Sequence, residues 1–193
     1  MPTRNQVMDT DRMRLLPDRA TWPKGIPFYG GSFSNFVAPD GGLSVVVDPR
    51  QDLAVPELWD FVNGEGLLHI KAPTVEHFFQ SAKAITLEDW DAILKPEDPW
   101  EAKRLGKATT LREDWEAVKY NIMLIGLRAK FSHTGLRAIL LATRDLYIYE
   151  ASPTDAVWGL WNPEEGAWTG QNLLGRGLMR VRAELGGGLK AWQ

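Results

Sequence analysis

The segment TVEHFFQSAKA, residues 74–84, divides the chain into a strand-bearing half and a helix-rich half. Thr74 has the short hydroxyl side chain that suits an N-cap, and Glu76 falls in the first turn, where a carboxylate complements the helix dipole. At about 100° per residue, Glu76, Gln80 and Lys83 lie within about 60° of one another. Val75, Phe78, Ala82 and Ile85 take the far side, and Phe79 borders Lys83. An acid, an amide and an amine therefore form one narrow stripe on an otherwise apolar helix. Local pattern leaves two readings open: a solvated face on which Glu76 pairs with Gln80 one turn on, or the floor of a pocket.

Toward the N-terminus the pattern is extended. IPFYGGSFSNFVAPDGG (26–42) reads as strand, turn, strand, LSVVVD (43–48) as a β-branched strand, and LLHI (67–70) as another. PELWDFVNG (56–64) has the Pro and Gly punctuation of a short helix. Toward the C-terminus helices dominate. One is expected from Pro99 to Leu105, ended by Gly106. The longest covers REDWEAVKYNIMLIGLRAKF (112–131), with Trp115, Val118, Ile122, Ile125 and Ala129 on one stripe. GLRAILLAT continues as helix, LYIYEA (146–151) is a strand, and NLLGRGLMRVRAEL closes the chain with Leu174, Leu178, Val181 and Leu185 on one face. Strands that cluster early, with one late, predict an α+β fold: a single compact, mainly helical domain with a small sheet.

At 193 residues the chain suits one domain and can bury a core without staples. With no cysteine, disulfides, thiolate metal sites and cysteine nucleophiles are excluded. His69, His77 and His133 show no ligand spacing, so no metal site is expected. The first 24 residues read as an arm without the apolar core of a signal peptide, and the longest aliphatic run, AILLA (138–142), is too short to span a bilayer. A soluble, cytoplasmic protein with no membrane partner is expected. Nine tryptophans hint at pockets or interfaces, where a flat apolar ring with a polar edge is favoured.

Net charge is only −3, but six acids face one base between Asp40 and Glu65, while ten bases face six acids from Lys95 to Arg144. That asymmetry suits an anionic ligand near the basic segments or plain solvation of helix faces, and without a long basic run it does not suggest bulk coating of nucleic acid.

No G-x-S-x-G, H-E-x-x-H or Walker loop is present. EASPTDAVWGLW (150–161) puts Asp155 at a strand end, where folds present catalytic groups and where an Asp equally caps a turn. TGQNLLGRGLM (169–179) puts Asn172 at the mouth of the last helix, as an N-cap or as an anion or ribose contact.

The order of these pieces is what becomes recognisable. FSNF, TVEHFFQSAKA, AKRLG, a Trp115-centred helix ending LRAKF, LLAT…LYIYEASPTDAVWG and GQNLLGRGLMRVR resemble, in this order, the NADAR (YbiA-like) family, from about Phe28 to Leu185. The family is associated with NAD and ADP-ribose metabolism. The resemblance implies N-glycosidase chemistry in one of two settings: hydrolysis of reactive, phosphorylated riboflavin-pathway intermediates, or removal of ADP-ribose from guanine in nucleic acid, which reverses a toxin's modification. It implies no cofactor. Asn35, Glu76, Gln80, Lys83, Trp115, Lys130, Glu150, Asp155, Trp158, Gly159, Gly170, Asn172 and Gly175 match its polar signature, and Phe36 and His77 fall inside its motifs.

The domain so implied runs from residue 25 to 185, between an arm (1–24) and a short tail (186–193). Three departures stand out. The span from Asn35 to Glu76 is long, so that about 37–72 reads as an acidic insertion; Leu160 stands where a Gly commonly follows the Trp-Gly pair; and the arm lies outside the family's domain.

Hydrolysis of an N-glycoside passes through an oxocarbenium-like cation, and needs a carboxylate for the sugar side and a proton for the departing base. The resemblance and this chemistry together make Glu76, Lys83 and Asp155 the catalytic candidates. Asn35, Phe36, His77, Gln80, Trp115, Lys130, Trp158, Gly159, Gly170 and Asn172 are the substrate-binding ones, with core packing the competing role for Trp115. Lys83 would anchor a phosphate or act as a Schiff-base amine. The expected partner is an ADP-ribose-containing substrate, ADP-ribosylated nucleic acid included. The alternatives are a riboflavin intermediate and, from another class, a non-catalytic module that binds ADP-ribose or NAD.

Overall fold

A computed structural model describes residues 15–187. The chain divides into two compact units: unit 1 holds the residues up to Ser34 and those from Arg137 onward, and unit 2 holds Asn35–Leu136.

Unit 2 is built on two of the expected strands. Strands β2 (Leu43–Val47) and β3 (Leu68–Ala72) pair antiparallel, with Val45 opposite Ile70. Every second residue, Leu43, Val45, Val47, Leu68, Ile70 and Ala72, is buried. Period-two burial on both strands makes one face of this ribbon core. The acidic segment 37–72 thus supplies both strands of unit 2, together with the short helix α1 (Pro49–Asp52) and a 3-10 turn, Pro56–Phe61.

Helices follow: α2 (Val75–Ser81), α3 (Leu87–Leu94), α4 (Pro99–Ala108), α5 (Trp115–Phe131) and α6 (Thr134–Ala142), the last of which continues past Leu136. Thr74 caps α2 as expected, its hydroxyl accepting from His77 N–H. Helix α3 was not anticipated; Thr86 caps it by accepting from Asp89 N–H, a cap signal that the sequence does carry.

One boundary and one buried face differ from expectation. Gly106 does not end α4, which runs on to Ala108, because that glycine serves packing: a Cβ there would lie 2.7 Å from Gln80 Cβ and closer still to its Oε1. In α5 the buried set is Trp115, Ile122, Met123, Leu124, Gly126, Leu127, Lys130 and Phe131, while Val118, Ile125 and Ala129 are only half-buried. From Ile122 onward the helix is covered on most sides, so no single stripe describes it.

Unit 1 holds β1 (Ile26–Phe28) and β4 (Ile148–Glu150), paired parallel, and the closing helix α7 (Leu173–Glu184) packed on β4. The described residues therefore carry two separate two-stranded sheets rather than one. The second strand expected within residues 26–42 does not form, and Gly31–Phe33 is a 3-10 turn. Residues 15–24, read from sequence as an arm, pack into unit 1: Leu16 is buried with Tyr149, Ala151 and Trp161, and Trp22 and Trp168 cover them. Trp22–Trp168 and Trp161–Trp168 meet edge to face, with centroids 5.3 and 5.2 Å apart. Of the tryptophans that hinted at a pocket, Trp161 is thus core and Trp22 and Trp168 are half-buried rings packed over it. Leu174, Leu178 and Val181 of α7 are buried as expected, and Leu185 is half-buried. Residues 1–14 and 188–193 lie outside the described residues.

Candidate active site

Helix α2 is the centre of unit 2. All seven of its residues are buried, Glu76 and Gln80 included at 4% and 3% exposure, so the polar stripe is not a solvated face. A carboxylate is kept at such a position only when other groups compensate it. Gln80 Nε2 donates to Glu76 Oε1 at 2.7 Å, and Glu76 N–H donates to Asn35 O at 3.1 Å. The helix itself stops at Ser81, and a tight turn (Lys83 N–H to Gln80 O, 3.2 Å) keeps Lys83 close to the stripe.

Lys83 is half-buried, and its ammonium lies over two rings, 5.6 Å from the centroid of Phe79 and 5.4 Å from that of Trp115. Burial pushes its pKa down; Glu76 opposes that shift, and Lys103 and Lys107 add to it. The amine thus stands closer to its neutral, nucleophilic form than an ordinary lysine does. Trp115 is 6% exposed and meets Phe79 edge to face, so it is both core and the wall under Lys83.

Arg112 fixes the end of this segment, a role that sequence reading missed. Its backbone N–H donates to Lys83 O at 3.1 Å, and its Nη1 donates to Asp52 O at 2.6 Å and Ala82 O at 3.4 Å. Nε and Nη2 form a fork on Asp114 at 2.6 and 3.0 Å. Arg112 is 5% exposed, and it ties the turn at Ala82 and Lys83 to Asp52 and Asp114. The one available signal was an Arg two residues ahead of the acid at the N-cap position of α5, whose carboxylate goes to Arg112 rather than to the helix N–H groups.

The other candidates of unit 2 take distinct places. Phe36 stacks at a tilt on Trp100, centroids 4.7 Å apart. Asn35 is buried, its Nδ2 toward Met123 Sδ at 3.3 Å; its Oδ1 and the Oε1 of Gln80 are buried acceptors without a donor. His77 is fully buried: Nε2 donates to Pro96 O at 2.9 Å, and Nδ1 accepts from Thr74 Oγ1 at 2.8 Å. Burial lowers its pKa in keeping with that neutral tautomer, and neither ring nitrogen is left for a substrate. Lys130 is wholly buried, 5.6 Å from the ring of Phe131, and desolvation brings its pKa down to about 7.

In unit 1 the candidates form a different kind of cluster. Asp155 Oδ1 accepts from Val157 N–H and Trp158 N–H, both at 2.9 Å, which makes it the hinge of a turn. Asn172 is 1% exposed and left-handed, at φ 51°. Its Oδ1 accepts from Glu150 N–H at 3.1 Å, and its Nδ2 donates to Ile148 O and Tyr147 Oη, both at 3.0 Å. It does not cap α7 with its side chain. The first N–H groups of α7, on Leu173 and Leu174, donate instead to Val157 O and Trp158 O, which closes this helix end to an anion. Trp158 is half-buried on the same loop. Gly159 and Gly170 let the backbones meet: a Cβ on Gly159 would lie 2.6 Å from Asp155 O, and one on Gly170 2.6 Å from Gly159 O.

Among the described residues no cluster of His, Asp or Glu could hold a metal ion, and no helix is long and apolar enough to cross a membrane.

Similarity to known proteins follows the same lines. N-glycosidase YbiA of Escherichia coli is 40% identical over 116 residues, which span 58% of this chain and 70% of the relative. The NMR structure of E. coli YbiA superposes with a TM-score of 0.61 at 32% identity, covering 89% of this chain and 92% of that one. The chloroplastic riboflavin biosynthesis protein PYRR of Zea mays is 35% identical over 132 residues, 62% of this chain and 20% of the relative. The model of the NADAR domain matches residues 32–186, and the chain belongs to that family.

Proposed function

We propose that this protein is an N-glycosidase that removes ADP-ribose from guanine bases in nucleic acid, with Glu76 and Lys83 at the reaction centre. The observation that carries this reading is a buried carboxylate on α2 beside a half-buried, pKa-depressed amine just past the end of that helix, walled by Phe79 and Trp115. Recognition alone does not require an amine whose pKa is pushed down beside a carboxylate, so the pair favours an enzyme over a binding module. The similarity to proteins named N-glycosidases supports the reaction class.

In the hydrolysis, water oxygen bonds to the anomeric carbon as the carbon–nitrogen bond breaks. The electron pair of that bond goes to the base nitrogen. Glu76 takes the proton of the attacking water and returns it to the departing base. Lys83 opens a second route to the same products. Its neutral amine adds to the ring-opened sugar at C1, the base leaves with a proton, and water hydrolyses the iminium to restore the amine.

A riboflavin-pathway intermediate is the second reading, and the similarity to the maize riboflavin protein favours it. One assay separates the two. The protein is incubated with a guanine-ADP-ribosylated oligonucleotide and, separately, with the phosphorylated aminopyrimidine of the riboflavin pathway, and release is followed by mass spectrometry. Turnover of the first and not the second is expected. Glu76→Gln should lower that turnover by about 10²- to 10⁴-fold, and full activity in this variant would sink the mechanism. Borohydride added during turnover tests the amine route: a covalent adduct on Lys83 supports it, and its absence leaves direct attack by water. Binding of ADP-ribose with no turnover of either substrate would mean a module.

A further inference from the structure

Lys103 and Lys107 lie one turn apart on α4 and so share a face of it, and α4 packs on α2. Lys103 repeats the seat of Lys83. Its ammonium lies over two rings, 5.6 Å from the centroid of Phe36 and 5.8 Å from that of Trp100. Among the described residues neither Lys103 nor Lys107 has a carboxylate at ion-pair distance. The contrast with their neighbour Arg104 is direct: it is forked onto Glu101, through Nε at 2.8 Å and Nη2 at 2.7 Å.

Aromatic faces hold an ammonium in place without cancelling its charge, whereas a carboxylate cancels it. Both lysines also act electrostatically on Lys83, so three like charges from two packed segments converge. Convergent like charges repel one another, and a bound anion relieves them.

We propose that Lys103 and Lys107 form the subsite for a phosphate group of the substrate, next to the Glu76–Lys83 pair, with Phe36 and Trp100 holding Lys103 for it. The proposal rests on reading the Glu76 face as the substrate face. It gives phosphate recognition to α4 and leaves Lys83 for the reaction. Convergence of the charges suits a compact, multiply charged group, such as a sugar monophosphate or a diphosphate bridge, better than an extended backbone.

The test titrates the native protein with inorganic pyrophosphate, with orthophosphate and with an unmodified oligonucleotide, by calorimetry at fixed salt. The variants are Lys103→Gln, Lys107→Gln, their double, Lys103→Arg and Arg104→Gln. Pyrophosphate affinity should fall about tenfold or more in each glutamine variant of the two lysines. It should hold in Lys103→Arg and Arg104→Gln. Tighter native binding of pyrophosphate than of orthophosphate points to a diphosphate, and the reverse order to a monophosphate. Where a substrate turns over, KM should rise in the lysine variants with kcat retained. Native-like pyrophosphate affinity in the double variant, or no pyrophosphate binding by the native protein, overturns the proposal. So does a loss in the double variant confined to the oligonucleotide, which would mean that the lysines follow a nucleic-acid backbone. Glu76→Gln should bind pyrophosphate as the native protein does, so a failed reaction and a failed subsite are read separately.

Discussion

The polar cluster around Asn172 in unit 1 and the one around Glu76 in unit 2 are satisfied in opposite ways. In unit 1 the amide of Asn172 makes three hydrogen bonds inside the protein, Asp155 closes its own turn, and the N–H groups at the mouth of α7 are taken by loop carbonyls. In unit 2 the ammonium groups of Lys83 and Lys103 rest on rings, and two buried acceptors, Gln80 Oε1 and Asn35 Oδ1, have no donor. A polar cluster satisfied from within holds a shape. One left partly unsatisfied is a reservoir for binding and chemistry, because a ligand supplies the missing partners. On the proposed function, the Asn172 cluster builds the scaffold and the Glu76 cluster faces the reaction.

The largest expected effect breaks this division if it fails. Glu76→Gln should abolish most turnover, by the 10²- to 10⁴-fold of a lost acid–base group, while the melting temperature moves little. Asn172→Ala should do the reverse. It strands Glu150 N–H and Ile148 O, at about 1–3 kcal/mol for each buried group left without a partner, and it should lower the melting midpoint while kcat at low temperature is kept. A variant of Asn172 that melts normally but does not turn over would move the chemistry into unit 1.

A pH series sharpens the same contrast. Lys130 has a folded pKa of about 7, below its unfolded value, so the unfolded chain binds more protons between the two. Stability should therefore rise with pH from about 7 upward, and the penalty should be fully present below 7. Urea unfolding from pH 6 to 9 measures the slope. Lys130→Met should flatten it and raise stability at pH 6, and an unchanged slope would mean that the lysine stays charged in the core.

The smallest effect is steric. Gly106→Ala places a methyl group against Gln80, at a cost of about 1–3 kcal/mol for overpacking. Because Gln80 holds Glu76, activity should fall further than the loss of stability explains. Thermal melts and kcat on the same preparation show whether it does.

Much of the scaffold was legible in the sequence. The cap at Thr74, the β-branched run of β2 and the apolar face of α7 are local patterns, written within a few residues of one another. Composition alone ruled out cysteine chemistry, and the order of motifs pointed to the family. The Glu76–Gln80–Lys83 stripe was visible too, but periodicity could not say whether it faced water or protein. Packing decided that: all of α2 is enclosed, so the stripe is an interior feature.

Other features depended on tertiary structure altogether. Arg112 reaches carbonyls 60 and 30 residues back in the chain, His77 is occupied by a carbonyl 19 residues ahead, and the mouth of α7 is closed by a separate loop. Such contacts join distant positions through single atoms and leave no period in the sequence. The sequence determined by itself most of the helices and strands and which residue types are at hand. Only the folded chain decided which charges are neutralised and which are held on aromatic rings, because that depends on what is packed against each of them.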